Sequence, residues 1–242
     1  VKPEGLADYF AARRADPDWR GCNITMPHKQ AAMNSLDRID PAAARIGAVN
    51  TVVPEAGALV GYNTDAAGFM EPITGLVGDQ PYRFAYLIGN GGAARAIACA
   101  LHDAEFLIFS LSRDPAKAQR ELGAFLGDDP DFYLRLDDLS QGNPLPPDPE
   151  IFSLIVNTTP LGMVGHPSLE LGWAGFRADA VVYDIVTAPP DTALLEQARA
   201  FGMRTVDGLS MLIGQAAFAF EKFFGIAPPR EDDAELREML TS

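Results

Sequence analysis

Residues 84–95, Phe-Ala-Tyr-Leu-Ile-Gly-Asn-Gly-Gly-Ala-Ala-Arg, constrain the fold of this chain more than any other stretch. A short apolar run, Phe84–Ile88, feeds into Gly89-x-Gly91-x-x-Ala94, and an alanine-rich helical pattern follows from about Gly92 to His102. Strand, glycine turn and helix in that order are the signature of a dinucleotide-binding βαβ unit. In such a unit Gly89 permits the tight turn, Gly91 lets the backbone approach a pyrophosphate, and Ala94 lets the helix pack closely on the strand. The helix start also offers free N–H groups and a positive dipole end to phosphates. A glycine-rich turn that holds no ligand would look the same locally, so the rest of the chain has to decide.

Around this motif, from about residue 66 to 207, apolar runs alternate with helical stretches. Strands are expected at Phe84–Ile88, Phe106–Leu111, Phe132–Leu136, Phe152–Val156, Ala180–Asp184 and Met203–Val206, with helices near 92–103, 114–126 and 191–201. That alternation predicts an α/β fold with a Rossmann-like, doubly wound parallel sheet. Residues 1–64 have a different texture, with short helices and strands at Gly21–Thr25, Val49–Val53 and Leu59–Tyr62. After the alternating region, Leu209–Phe224 reads as one long helix whose apolar face is expected at Met211, Leu212, Ala216, Phe220 and Phe223. Gly225 suits its C-cap, and a last helix is expected near 231–240. The stretch Pro144–Pro149 reads as a loop, not a linker. The economical division gives residues 1–65 and 208–242 to a smaller α/β substrate domain and 66–207 to an inserted nucleotide domain, with a ligand cleft between them.

Composition narrows the function. A net charge of −14 argues against nucleic acid or an anionic membrane as partner, because both reward clustered Lys and Arg. Cys22 and Cys99 show no pairing pattern, which suggests a reduced, cytoplasmic protein. His28, His102 and His166 are scattered without metal-ligand spacing, so no metal is expected. There is no apolar span of about 18 residues. The start, Val1-Lys2-Pro3, is abrupt, and a segment upstream of it is expected.

Three polar clusters lie outside the glycine turn. In Asn23-Ile-Thr25-Met-Pro27-His-Lys29, a β-like run ends at Thr25, and Pro27 is expected to open a helix that carries Lys29 on its first turn. A solvated lysine is the bland alternative. Asn50-Thr51 and Asn63-Thr64-Asp65 would end strands, and Asp65 could serve merely as a helix N-cap. Asn157-Thr158-Thr159 would end a parallel strand at the edge where such folds bind ligands, although turn chemistry alone could explain it.

Taken in order, these segments resemble the shikimate dehydrogenase family. Its N-V-T-x-P-x-K pattern stands here as Asn23–Lys29, its GAVNT as Gly47–Thr51 and its NTD as Asn63–Asp65. Its GxGGAxRA loop is Gly89–Ala96, its NTTPLGM is Asn157–Met163, and its DGLxMLxxQ is Asp207–Gln215. The resemblance implies reversible, nicotinamide-dependent reduction of 3-dehydroshikimate to shikimate. It implies Lys29 as proton donor and acceptor, Asp65 as its orienting partner, and Asn23, Thr25, Asn50, Thr187 and Gln215 as contacts to a cyclic polyol acid. It implies cofactor contacts from Gly89, Asn90, Gly91, Gly92, Ala93, Ala94, Ser112, Arg113, Lys117, Thr158, Thr159, Ile185, Gly208 and Met211.

The second nucleotide strand ends in Leu111-Ser112-Arg113-Asp114, with Lys117 a turn later. Arg113 and Lys117 match the family's basic pair for a 2′-phosphate, which favours NADP over NAD. Asp114 stands where the family often has threonine, and capping the helix at Pro115 is its expected role. Two departures keep the substrate open. The family's N-terminal strand and Ser-x-Ser loop have no counterpart in residues 1–242, and Thr187 replaces a tyrosine of shikimate-specific members. A quinate or aminoshikimate dehydrogenase, or a non-catalytic ligand-binding relative, is therefore the alternative. Monomer and homodimer both fit the family.

Overall fold

The computed structural model describes residues 1–137, 151–173 and 176–241, so the expected Pro144–Pro149 loop lies outside the described residues. In chain order the first part holds α1 (Leu6–Arg14), β1 (Cys22–Asn23), β2 (Arg38–Ile39), α2 (Pro41–Ile46), β3 (Thr51–Glu55), β4 (Ala58–Tyr62) and α3 (Asp65–Val77). The alternating part holds β5 (Tyr82–Ile88), α4 (Gly92–Asp103), β6 (Leu107–Ser112), α5 (Pro115–Leu126), β7 (Tyr133–Arg135), β8 (Ile151–Asn157), β9 (Val181–Asp184), α6 (Ala193–Ala200) and β10 (Arg204–Val206). Two helices close the chain, α7 (Gly208–Phe224) and α8 (Asp233–Thr241).

The larger sheet has six strands in the order β10-β9-β8-β5-β6-β7, all paired in parallel. Its central strands β5 and β8 are predominantly apolar because both faces are covered. On β5, Ala85 and Leu87 enter one core with Phe69 and Ile73 of α3, α4, and Ala118 and Leu122 of α5. Their neighbours Tyr86 and Ile88 enter the opposite core with Leu194, Leu195 and Ala198 of α6. The period of two along the strand thus supplies both layers of a doubly wound fold. Strand order reverses between β5 and β8, so their carboxyl ends flank the topological switch point.

The smaller sheet runs β1-β3-β4-β2 over a core that includes Leu6, Phe10, Ile24, Val49, Val52 and Leu59. Its hairpin β3–β4 turns at Ala56 and Gly57, both with positive φ (49° and 82°), which matches the tight turn that follows the right-handed strand twist.

Two expectations fail locally. Pro27 opens no helix: the Met26–Pro27 peptide is cis, His28 N–H donates to Thr25 O, and residues 26–30 form turns before a 3₁₀ stretch at Ala31–Ser35. Lys29 therefore projects from a turn. The long helix α7 forms and Gly225 caps it in the left-handed conformation, but its buried face is Leu209, Met211, Ile213, Gly214 and Ala219, while Ala216 is exposed. The cause is the crossing with α3. A Cβ on Gly68 would lie 2.4 Å from the backbone N of Gln215, and one on Gly214 would lie 3.2 Å from Gly68 Cα, so the two helices meet backbone to backbone. Small residues, not the bulkiest ones, decide which side faces inward.

Candidate active site

At the switch point Gly89 has φ 109°, and a Cβ there would meet Thr158 Oγ1 at 2.5 Å. Thr158 in turn donates its hydroxyl to Ile88 O at 2.6 Å, binding the end of β8 to the end of β5. The first turn of α4 has no side-chain cap, and a Cβ on Gly91 or Gly92 would meet nothing within 4 Å. Ala94 is fully buried against the sheet. Gly89 and Ala94 thus serve the turn and the helix–sheet packing that their spacing implied, while Gly91 and Gly92 border open space. Thr159 is fixed through its hydroxyl and N–H to Asn157 Oδ1, and Asn157 donates to the buried Asp184 at 2.9 Å. Burial pushes the Asp184 carboxyl up, and hydrogen bonds from Thr192, Val186 N–H and Asn157 only partly offset that.

Along β6, Ser112 is buried, whereas Arg113 and Lys117 are exposed. Asp114 caps α5, accepting from Lys117 N–H at 3.0 Å. At the start of α7, Gly208 is required by closeness: a Cβ would stand 2.3 Å from Val186 O, next to Ile185. Met211 lies one turn on and is buried, and Thr187 is half-buried.

The opposite wall is a side-chain network. Lys29 Nζ pairs with Asp65 Oδ2 at 2.7 Å, with only 19% and 8% of the two side chains exposed. Asn50, 2% exposed, donates to Asp65 Oδ1 at 2.9 Å and to Thr64 Oγ1 at 3.0 Å. Its carbonyl oxygen accepts from Thr64 N–H at 2.8 Å and from the Thr51 hydroxyl at 3.0 Å. Gln215 Oε1 completes the cluster, 3.5 Å from Asn50 Nδ2 and 3.4 Å from Thr64 Oγ1. The Gly68–Gly214 crossing is what brings α7 close enough for this. Asp65 is the first residue of α3 and faces Lys29 instead of capping the helix. Asn23 is exposed and donates to Thr51 Oγ1 at 3.3 Å.

Thr25, Lys29, Asn90, Gly91, Gly92, Ala93 and Lys117 line one cavity of about 320 Å³. Arg95 and Glu121 line it as well, and no sequence motif marked either as a site residue. Glu121 follows Lys117 by four residues on α5, so helical spacing alone could have placed both on one face. Arg95 pairs with Glu121, so Lys29 and Lys117 are the cations left facing this cavity and make it locally basic in an acidic protein, which suits an anionic ligand. The uncapped helix start, the open space above Gly91 and Gly92 and the neighbouring cations together fit a dinucleotide's phosphates.

Known proteins match along the whole chain. Residues 1–52 match the family model for the shikimate dehydrogenase substrate binding domain, and residues 208–235 match that for the shikimate 5'-dehydrogenase C-terminal domain. A shikimate dehydrogenase (NADP(+)) of Sphingopyxis alaskensis is 46% identical over 244 residues, covering 100% of this chain and 84% of that protein. The chain belongs to the shikimate dehydrogenase family. Solved members share its fold. A shikimate dehydrogenase in complex with NADP+ superposes with a TM-score of 0.84 at 31% identity, covering 100% of this chain and 83% of that one. The Thermus thermophilus enzyme in complex with NADP(H) and shikimate gives 0.79 at 32% identity, covering 99% and 85%. In this chain Lys29, paired with Asp65, lines one cavity together with residues 90–93 of the glycine turn.

Proposed function

We propose that this chain catalyses the reversible NADP-dependent reduction of 3-dehydroshikimate to shikimate. The observation that carries the reading is that Lys29, held by its ion pair with Asp65, lines the same cavity as residues 90–93 of the glycine turn. NADPH, when bound, supplies the hydride. Lys29 Nζ then donates a proton to the ketone oxygen, and in the reverse direction it takes the proton from the hydroxyl. Its positive charge also stabilises oxygen as negative charge develops there. Asp65 holds Nζ through Oδ2 while Oδ1 is held by Asn50, so the lysine is aimed by a carboxylate that is itself fixed.

Thr25 lines the cavity and its hydroxyl makes no side-chain hydrogen bond among the described residues, so it is free for a ring hydroxyl. Asn23, Asn50, Thr187 and Gln215 complete the proposed substrate contacts, with Asn50 acting chiefly through Asp65. Gly89–Ala94, Ser112, Thr158, Thr159, Ile185, Gly208 and Met211 form the proposed cofactor side, with Arg113 and Lys117 on the 2′-phosphate. Residues 1–65 and 208–242 make the substrate domain and 66–207 the nucleotide domain. No helix among the described residues is long and apolar enough to cross a membrane, and a cytoplasmic monomer or homodimer is the proposed setting.

Initial rates with shikimate and quinate, each with NADP and NAD, test this reading. Turnover is expected on shikimate with NADP, and preferential use of quinate would move the assignment to the paralogue. No turnover with any pair would sink both. Arg113→Ala should raise KM for NADP at least about tenfold with little change for NAD, the loss of one charge-assisted contact. Equal changes would remove Arg113 from the phosphate.

A further inference from the structure

We propose that Arg95 is a positioning residue that sets the Lys29–Asp65 pair at its working distance from the glycine turn. The part of this proposal that concerns turnover rests on the function proposed above; the structural part does not.

Arg95 is the fourth residue of α4, the helix that begins with Gly92. A cation there opposes the positive end of its own helix dipole, so its placement needs another cause. That cause lies on α2. Arg95 Nε donates to Ile46 O, the last residue of α2, at 2.8 Å, where a cation meets the negative end of a helix. Arg95 Nη1 reaches Glu121 at 3.2 Å, which balances the charge and ties in α5. The guanidinium also approaches Gly47 by its Nη2 end, where a Cβ would come 2.5 Å from Nη2.

From Ile46 the connection continues through backbone. Gly47 turns the chain at φ 71°, and Val49 N–H donates to Lys29 O at 2.8 Å. Asn50 follows and holds Asp65. The backbone of Lys29 and the carboxylate of Asp65 are thus both fixed by residues 47–50, and the C-terminus of α2 leading into that segment is clamped by a side chain from the phosphate-binding helix. Only 23% of the Arg95 side chain is exposed. The same two helices are also joined at their far side, where Arg45 pairs with Asp103 at 2.7 Å, but that pair is 43% and 55% exposed and borders solvent. Neither residue lines the cavity, so the pair supplies an internal control of the same chemistry between the same two helices.

The test compares Arg95→Ala, Arg95→Lys and Arg45→Ala with wild type by thermal melting, separate Kd values for NADP and for shikimate, kcat, and amide hydrogen exchange of residues 47–50. Small misplacements of reacting groups cost up to about a hundredfold in rate, so Arg95→Ala should lower kcat about ten- to a hundredfold while each separate Kd changes by no more than about threefold. Exchange at residues 47–50 should speed up in Arg95→Ala and stay at the wild-type rate in Arg45→Ala. Arg95→Lys keeps the charge and stem but cannot span Ile46 O and Glu121 together, so an intermediate loss is expected; it carries the test if the alanine variant melts too early. An NADP Kd that weakens in step with kcat would make Arg95 a phosphate contact and overturn the proposal. So would unchanged exchange at residues 47–50, whether or not the wild type turns over shikimate, and so would an equal loss in Arg45→Ala.

Discussion

Along the carboxyl edge of the large sheet, the groups proposed to meet a ligand are mostly backbone from one contiguous turn, Gly89–Ala94, with Thr158 and Thr159 close against Gly89. Across the cleft, the groups are side chains drawn from separated segments: Lys29, Asn50, Asp65 and Gln215. The first wall depends on what is missing, since a Cβ at Gly89 has nowhere to go. The second depends on what is present, since Asn50 uses both its amide hydrogens and its carbonyl oxygen within the cluster. A backbone wall should therefore fail by shape and a side-chain wall by chemistry, and the two failures should be separable by measuring binding and turnover independently.

The largest effect should come from the chemical wall. Lys29→Ala removes the proposed proton donor, and general acid catalysis contributes about a hundred- to ten-thousandfold, so kcat should fall in that range. NADP binding, measured alone by fluorescence titration, should change by no more than about threefold, because the glycine turn keeps its geometry. Asp65→Asn should lower kcat in the same direction, since the amide keeps the shape but cannot hold the ammonium. A Lys29→Ala enzyme that turns over at nearly the wild-type rate would refute the mechanism.

The shape wall should break at Gly89. Alanine there must adopt φ near 109° and place its Cβ 2.5 Å from Thr158 Oγ1. Backbone strain of this kind costs about 1–3 kcal/mol, and relief by moving the turn would spoil the proposed phosphate cradle. Calorimetry should find NADP affinity down at least about tenfold with shikimate affinity nearly intact. If shikimate binding fell equally, the two walls would not be independent.

The same contrast explains what the sequence made legible. The strand–turn–helix unit is local, so Gly89, Gly91 and Ala94 could be given separate jobs before any contact was known, and the six parallel strands followed from apolar runs at the right spacing. Local pattern failed where tertiary packing decides. Pro27 looked like a helix start, yet it forms a turn, because the segment is held by Val49 N–H to Lys29 O across the chain. On α7 the expected face holds at Met211 but not at Leu212, Ala216, Phe220 or Phe223, because Gly68 and Gly214 set the crossing and glycine carries no hydrophobic signal. Arg95 was hidden inside a motif read for its glycines, and its partner Ile46 O is a backbone atom that no side-chain pattern announces.

The smallest expected effect lies where the two walls meet, at the return of the chain from β10 into α7. Asp207 caps α7 through Ser210 N–H and is gripped by both terminal nitrogens of Arg237 from α8. Burial pushes the Asp207 carboxyl up, but the Arg237 guanidinium and Ser210 outweigh it and hold the carboxyl below its usual range. A carboxyl depressed on folding contributes stability above its unfolded value, about 3.9, and loses it as pH falls through the lower folded value. Arg237 is 38% exposed, so screening leaves the pair at about 1 kcal/mol. Arg237→Ala should therefore lower urea-unfolding stability by about that much at pH 7, and the deficit should shrink below about pH 4. Because Gly208 seats this helix start against Ile185 and Val186 while Gln215 on the same helix reaches Asn50, loosening it should weaken NADP and shikimate binding by a similar small factor. A loss confined to one ligand would assign the joint to one wall alone, and a stability deficit that grew toward acid pH would have the wrong sign for this carboxyl.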